Sequence, residues 1–292
     1  MLHILAAGAA VIAHQPLRWE NLGLSPIALD LGVITIKWYS LAYLAGIVLG
    51  YWHLSRMTRQ PGSPMAQRHA DDLFFYCTLG IILGGRLGYS IFYAPELWSH
   101  PANLFKLWQG GMSFHGGLIG TVMAIGWVAW SNKLNFIRLC DYISVVVPFG
   151  LFFGRLANFV NGELWGRITD ASVPWAMVFP GGGDAPRHPS QLYEALLEGL
   201  LLGTVLLVLY WKTRARWRVG LLTGLFTMGY GLARFTVEFF REPDAQLQDF
   251  ARATHLSMGQ WLSLPLVLTG VILLVRAFAT AEATPANRPE PA

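Results

Sequence analysis

Charge is scarce in this chain. Only 13% of its residues are charged, while 54% are hydrophobic and the mean hydropathy is +0.43; a soluble domain carries ~25% charged residues. That shortage excludes an ordinary soluble globular enzyme and points to a polytopic membrane protein. Cysteine is scarcer still. Cys77 and Cys140 stand in or at the edge of apolar segments, with no CxxC pairing and no metal-ligand spacing, so neither a disulfide framework nor a thiolate metal site is indicated. No metal and no cofactor are expected. The period-2 alternation of barrel strands is also missing, as is any internal repeat of the kind transporters carry. A continuous basic patch is lacking too: the net charge is +4 and the pI near 9.2, but the basic residues sit in short loops between apolar runs. The basicity therefore reads as membrane topology and not as a nucleic-acid surface.

What the chain does have is apolar length. Candidate spans are Ile34–Leu54, Leu73–Tyr93, Met112–Trp130, Leu139–Val160, Ser190–Trp211, Gly220–Phe240 and Met258–Ala279. Each is close to the ~20 residues that cross ~30 Å of hydrocarbon as helix, and helix is the form that satisfies its own backbone in lipid. The expected fold class is an all-α integral membrane protein of about seven transmembrane helices, with one helical bundle over 34–279. Residues 1–33 are expected to form an external or interfacial segment: Met1 to Ala13 is apolar but too short to span and has no basic residue before its apolar run. Residues 280–292, with Pro285, Pro289 and Pro291, read as a disordered cytoplasmic tail. Glycines at four-residue spacing, as in Gly46/Gly50, Gly80/Gly84 and Gly199/Gly203, are expected to let helices approach closely.

Loop charges orient the bundle. Arg56, Arg59 and Arg68, then Lys133 and Arg138, then Lys212, Arg214, Arg216 and Arg218 follow the odd-numbered spans, whereas the alternate, longer loops hold fewer basic residues mixed with acids. The positive-inside tendency puts the first set in the cytoplasm, the N-terminus outside and the C-terminus inside. Tyr39, Arg86, His115, Arg155, Asn158, Glu194, Arg234 and Glu238 then fall at one depth, in the outer half. Asp141 alone sits near the inner end of a span, in reach of water. A charge within hydrocarbon costs ~2.5–3.5 kcal/mol on insertion scales, so this layer needs partners or a task.

The densest signal is Gly154-Arg155-Leu156-Ala157-Asn158-Phe159-Val160-Asn161-Gly162-Glu163-Leu164-Trp165-Gly166. Arg155, Asn158 and Asn161 share a helix face, and Glu163 marks the exit from the helix. A planar guanidinium suits bidentate binding of phosphate, although an Arg can equally lock two helices by pairing with a carboxylate. Tyr230, Arg234 and Glu238 recur at i, i+4 and i+8, so Arg234 and Glu238 can pair within the helix. Glu194 and Glu198 form a like-charged i, i+4 stripe that needs cations from other helices, and Arg86 is expected among them. His115, in Ser113-Phe114-His115-Gly116-Gly117, has room around it for a substrate; it can act as a general base or simply hydrogen-bond a neighbour. His188 is a second candidate, with Pro189 and Ser190 beside it reading as a helix start.

These runs, with Arg187–Glu194 and Arg234-Phe235-Thr236-Val237-Glu238-Phe239-Phe240-Arg241-Glu242-Pro243-Asp244, resemble the phosphatidylglycerol–prolipoprotein diacylglyceryl transferases from about Trp38 to Gly270. The resemblance implies a seven-span enzyme of the bacterial inner membrane, its site open to the outer face. It implies transfer of the diacylglyceryl group of phosphatidylglycerol to the lipobox cysteine in a prolipoprotein signal peptide, forming a thioether and releasing glycerol 1-phosphate. By the same resemblance Arg155 binds the phosphatidylglycerol head group, Arg234 stabilises the departing phosphate, and His115 takes the thiol proton. Tyr39, Asn158, Glu163 and Glu238 orient. A lipid or anion transporter and a purely structural membrane subunit are the competing readings.

Overall fold

The computed structural model describes residues 16–280 except 33, 108–109, 171 and 243–247. The stretch Met1–Ala13 and the tail beyond residue 280 lie outside the described residues. Helices occupy all of the expected apolar stretches: α1 (Trp38–Thr58), α2 (Gln67–Phe92), α3 (Phe114–Ser131), α4 (Phe136–Val160), α5 (Ser190–Lys212), α6 (Leu221–Val237) and, after the short α7 (Gln248–Thr254), α8 (Met258–Ala279). Of these, α2, α4, α5 and α8 are long and apolar enough to cross a membrane.

The expected ends shift where backbone finds another partner. Ile34 does not begin a helix, because Thr35–Lys37 (β3) pairs antiparallel with Ile27–Asp30 (β2) and α1 opens only at Trp38. Likewise α6 stops at Val237: the amides of Phe240 and Arg241 both fold back on the Val237 carbonyl, and Arg167 N–H then takes the Phe240 carbonyl at 2.8 Å. Within α5 the segment Ala195–Leu201 is wound as π-helix, a departure common at functional sites and invisible to hydropathy.

By packing, the chain divides into two units, 1–46, 149–202 and 229–267, and 47–148, 203–228 and 268–292. In the second unit α2 and α3 meet through glycine. A Cβ added at Gly84 would stand 2.3 Å from the Gly116 carbonyl oxygen, and one at Gly120 would stand 2.1 Å from that of Gly80, so only hydrogen fits at this crossing. Ser113 caps α3, its hydroxyl accepting from Gly116 N–H at 3.2 Å.

Two expectations in this unit are corrected. Asp141 is not in reach of water: it is wholly buried and accepts from Gly220 N–H at 2.8 Å, Thr223 N–H at 2.9 Å and the Thr223 hydroxyl at 2.8 Å. It satisfies the amides that open α6, a task a carboxylate suits because those amides have no partner within the helix. Arg86 does not serve the acidic stripe. Its guanidinium donates to the carbonyls of Asn103, Leu104, Gly110 and Gly111, so that one buried fork organises the loop that leads into α3.

In the first unit, Leu17–Arg18 (β1) runs parallel to Met177–Val178 (β4). Trp19, Met177 and Phe179 form a buried apolar cluster, with Leu24, Phe159 and Trp165 packed against it. The Trp19 indole also donates to the Phe159 carbonyl at 2.8 Å. This ties the N-terminal segment to the polar stretch that ends α4.

Candidate active site

The first unit gathers the polar residues of four chain segments around Glu194. α4 contributes Arg155 and Asn158, and its exit contributes Glu163. α5 contributes Glu194 and Glu198, and α6 contributes Arg234, with Glu238 and Arg241 just past its end. The exit from α4 is shaped by Gly162, whose φ of +66° and whose added Cβ, 2.8 Å from Pro180 Cγ, leave no room for a side chain. The turn is then pinned to the start of α5: Gln191 Nε2 donates to the Glu163 carbonyl at 2.7 Å and the Ser190 hydroxyl to that of Leu164 at 3.1 Å.

Glu194 is 1% exposed and shared by three guanidinium groups. Arg155 Nε lies 3.0 Å away, Arg234 Nη1 is in direct contact, and Arg241 Nη1 lies at 3.3 Å. Arg234 is held on both terminal nitrogens, since its Nη2 meets Glu238, which also accepts from the Ser257 hydroxyl at 2.6 Å. Arg155 is held differently. Its Nε edge takes Glu194, while its terminal nitrogens reach only Asn158 Oδ1 at 3.5 Å and Glu198 Oε2 at 3.7 Å. The terminal nitrogens of this guanidinium are thus more loosely engaged than its Nε.

Beside it runs a chain of hydrogen bonds. Asn158 Nδ2 donates to Glu163 Oε1 at 2.9 Å and Asn161 Nδ2 donates to the same oxygen at 3.2 Å, with Tyr39 near Asn158 and Glu163 and its ring 5.1 Å from that of Tyr43. Tyr39, Arg155, Asn158, Glu163, Arg234 and Glu238 therefore all lie in the first unit, linked through Arg155, Asn158 and Glu194. His115 belongs to the other unit, where it is exposed at the second position of α3 with its ring edge-on to Phe114. His188 lies just outside α5, its Nδ1 3.1 Å from the Tyr193 hydroxyl, which accepts from the Trp175 indole at 2.6 Å. Burial lowers its pKa below the ordinary histidine value.

Arg241, Ser257 and Gln191 escaped the motif reading. Arg241 lies past the end of α6, and the chain reversal after Val237, which has no motif signal, brings it to Glu194. Ser257 and Gln191 have no sequence signal either, because each acts through one contact made far along the chain.

Residues 26–276 match the family model described as prolipoprotein diacylglyceryl transferase. Among the chain's relatives are proteins named phosphatidylglycerol–prolipoprotein diacylglyceryl transferase. That of Erythrobacter litoralis is 61% identical over 266 residues, covering 91% of this chain and 93% of the relative. That of Zymomonas mobilis is 51% identical over 89% of this chain and 93% of its own length, and that of Beijerinckia indica 49% over 90% and 97%. With its polar core and its sequence in agreement from the end of the N-terminal segment to the last helix, the chain belongs to the prolipoprotein diacylglyceryl transferase family.

Proposed function

We propose that this chain transfers the diacylglyceryl group of phosphatidylglycerol to the lipobox cysteine thiol of a prolipoprotein, forming a thioether and releasing glycerol 1-phosphate. The sulfur forms a bond to the glycerol carbon while the carbon–oxygen bond to phosphate breaks, its electrons leaving with the phosphate. The thiol proton must pass to a base, because a thiol of pKa ~8.5 is mostly un-ionised near neutrality. Charge builds up on the leaving phosphate, so fixed cations around it lower the barrier.

Arg155 binds the phosphate, and the supporting observation is its guanidinium, anchored on Glu194 by the Nε edge at 3.0 Å with its terminal nitrogens at 3.5 and 3.7 Å from their nearest acceptors. Arg234, fixed by Glu194 and Glu238, stabilises the departing phosphate. Tyr39, Asn158 and Glu163 keep the Arg155 side of the site in register, and His115 is the candidate base on the strength of the family resemblance. The chain crosses the bacterial cytoplasmic membrane seven times over residues 34–279, with 1–33 outside, 280–292 in the cytoplasm and the site in the outer half. Supporting this orientation are the basic loops after α1, α3 and α5.

Purified protein incubated with phosphatidylglycerol and a lipobox peptide should add the diacylglyceryl mass to the peptide cysteine and release a glycerol phosphate. An unmodified peptide, with phosphatidylglycerol instead moved across a vesicle wall, would replace this reading with transport.

A further inference from the structure

Glu198 differs from the carboxylates around it. Glu194 has three cations and Glu238 has Arg234 and the Ser257 hydroxyl. Glu198 is wholly buried, and neither of its oxygens receives a hydrogen bond among the described residues. Its closest cation is an Arg155 terminal nitrogen at 3.7 Å. It is carried on the π-wound segment Ala195–Leu201 of α5. The groups that face it are Arg155 from α4, Glu194 from its own helix, Arg234 and Tyr230 from α6, and Arg241 past the end of α6.

The charge balance of this cluster gives Glu198 a consequence. Arg155, Arg234 and Arg241 stand against Glu194, Glu198 and Glu238, so the buried set is neutral before substrate arrives. A phosphodiester brought onto Arg155 adds one negative charge and competes for the terminal nitrogen that faces Glu198. That carboxylate would then be buried without a hydrogen-bond donor and without its nearest cation, a state in which the neutral acid is strongly favoured. Glu194 and Glu238 keep cations of their own and are poorer places for the proton.

We propose that Glu198 is a proton-coupled counter-ion of Arg155. When an anionic phosphate takes the Arg155 terminal nitrogens, Glu198 releases that cation and accepts one proton from the aqueous phase. It returns the proton when the phosphate-bearing product leaves. No bond to carbon changes at Glu198, which acts through Arg155 and is a positioning residue. The inference rests on the assignment of Arg155 as the phosphate ligand. Its signature is that phosphatidylglycerol binds more tightly as pH falls, the dissociation constant dropping by up to about tenfold for each pH unit of decrease where uptake is complete. A purely structural carboxylate would leave the proton count at zero.

The test is calorimetric titration of the full-length protein with a short-chain phosphatidylglycerol, in buffers of different ionisation enthalpy at the same pH. Wild type should take up close to one proton per lipid bound. Glu198→Gln, neutral at every pH, should bind with uptake near zero and a dissociation constant that no longer varies with pH, and Glu198→Asp should restore the dependence. Zero uptake by wild type overturns the inference even if no Glu198 variant folds, and so does undiminished uptake in Glu198→Gln. Arg155→Ala separates the two layers of the argument: lipid binding unchanged by that substitution overturns the phosphate assignment itself, whereas binding that needs Arg155 but carries no proton overturns only the role of Glu198.

Discussion

Arg155 Nε stands 3.0 Å from a carboxylate oxygen of Glu194, and through Glu194 it is coupled to Arg234 and to Arg241 at 3.3 Å. One acid thus sets the position of three partly buried guanidinium groups while leaving the terminal nitrogens of Arg155 lightly held. Anchoring by one edge leaves the other free for the phosphate role proposed for this side chain.

Glu194→Ala should therefore destabilise the protein as well as inactivate it. Removing one partner of a buried charge network strands the others, at a cost of about 3–5 kcal/mol, or a fall of roughly 10 °C in the thermal midpoint. Thermal unfolding in detergent measures this. A midpoint within about two degrees of wild type would show that the arginines find other partners.

Arg155→Lys should insert and fold yet lose turnover by about a hundredfold or more, the usual scale for removing a preorganised donor from a developing anion. A lysine ammonium can meet Glu194 but cannot present two coplanar donors at the same time. Mass spectrometry of a lipobox peptide reads the rate, and near-normal turnover would take the phosphate role away from this residue.

How much of this was legible in the sequence depends on the range of the interactions involved. Met258–Ala279 coincides with α8 because an uninterrupted apolar run sets its own limits. The pairing of Arg234 with Glu238 was readable for a similar reason, since both lie on one helix at i, i+4. Arg86 was assigned the wrong partners because backbone carbonyls 17 to 25 residues away leave no mark in a residue pattern. Asp141 looked accessible from its place near a span end, and only the arrival of Gly220 and Thr223 buries it. The hub position of Glu194 was half visible: its stripe with Glu198 demanded cations, but the identity of Arg241 as one of them needed the chain reversal after Val237.

Replacing both cysteines by serine should keep activity within about twofold, since any change is the modest effect of a hydroxyl in a packed helix. Cys77 and Cys140 are free, half-buried and both in the second unit, on α2 and α4. In the proposed reaction the reacting thiol comes from the substrate. A diacylglyceryl adduct trapped on either cysteine would replace direct transfer with a covalent-enzyme route.

Gly84→Ala and Gly126→Ala should behave oppositely although each adds a single methyl group. At Gly84 the new Cβ would lie 2.3 Å from the Gly116 carbonyl oxygen, so α2 and α3 must separate; at Gly126 nothing lies within 4 Å. Folded yield and thermal midpoint should drop sharply for the first. The second should be neutral or slightly stabilising, by up to about 1 kcal/mol from helix propensity. Equal behaviour would mean that the glycine contact does not set the separation of the two helices.

Orientation in the membrane is tested by where single cysteines react in the cysteine-free background. Asp184, whose side chain is 98% exposed, lies in the loop between α4 and α5, whereas Arg59 and Lys212, also exposed, follow α1 and α5. With basic loops inside, Asp184→Cys should be labelled by an impermeant thiol reagent applied to intact cells or outward-facing spheroplasts. Arg59→Cys and Lys212→Cys should react only after the membrane is opened. The proposed chemistry depends on this outcome, because a lipobox cysteine reaches an enzyme of the outer leaflet only after its signal peptide has begun to cross. Labelling of Arg59→Cys and Lys212→Cys from outside, with Asp184→Cys protected, would turn the bundle over and leave the Arg155 and Arg234 cluster facing the wrong pool of substrate.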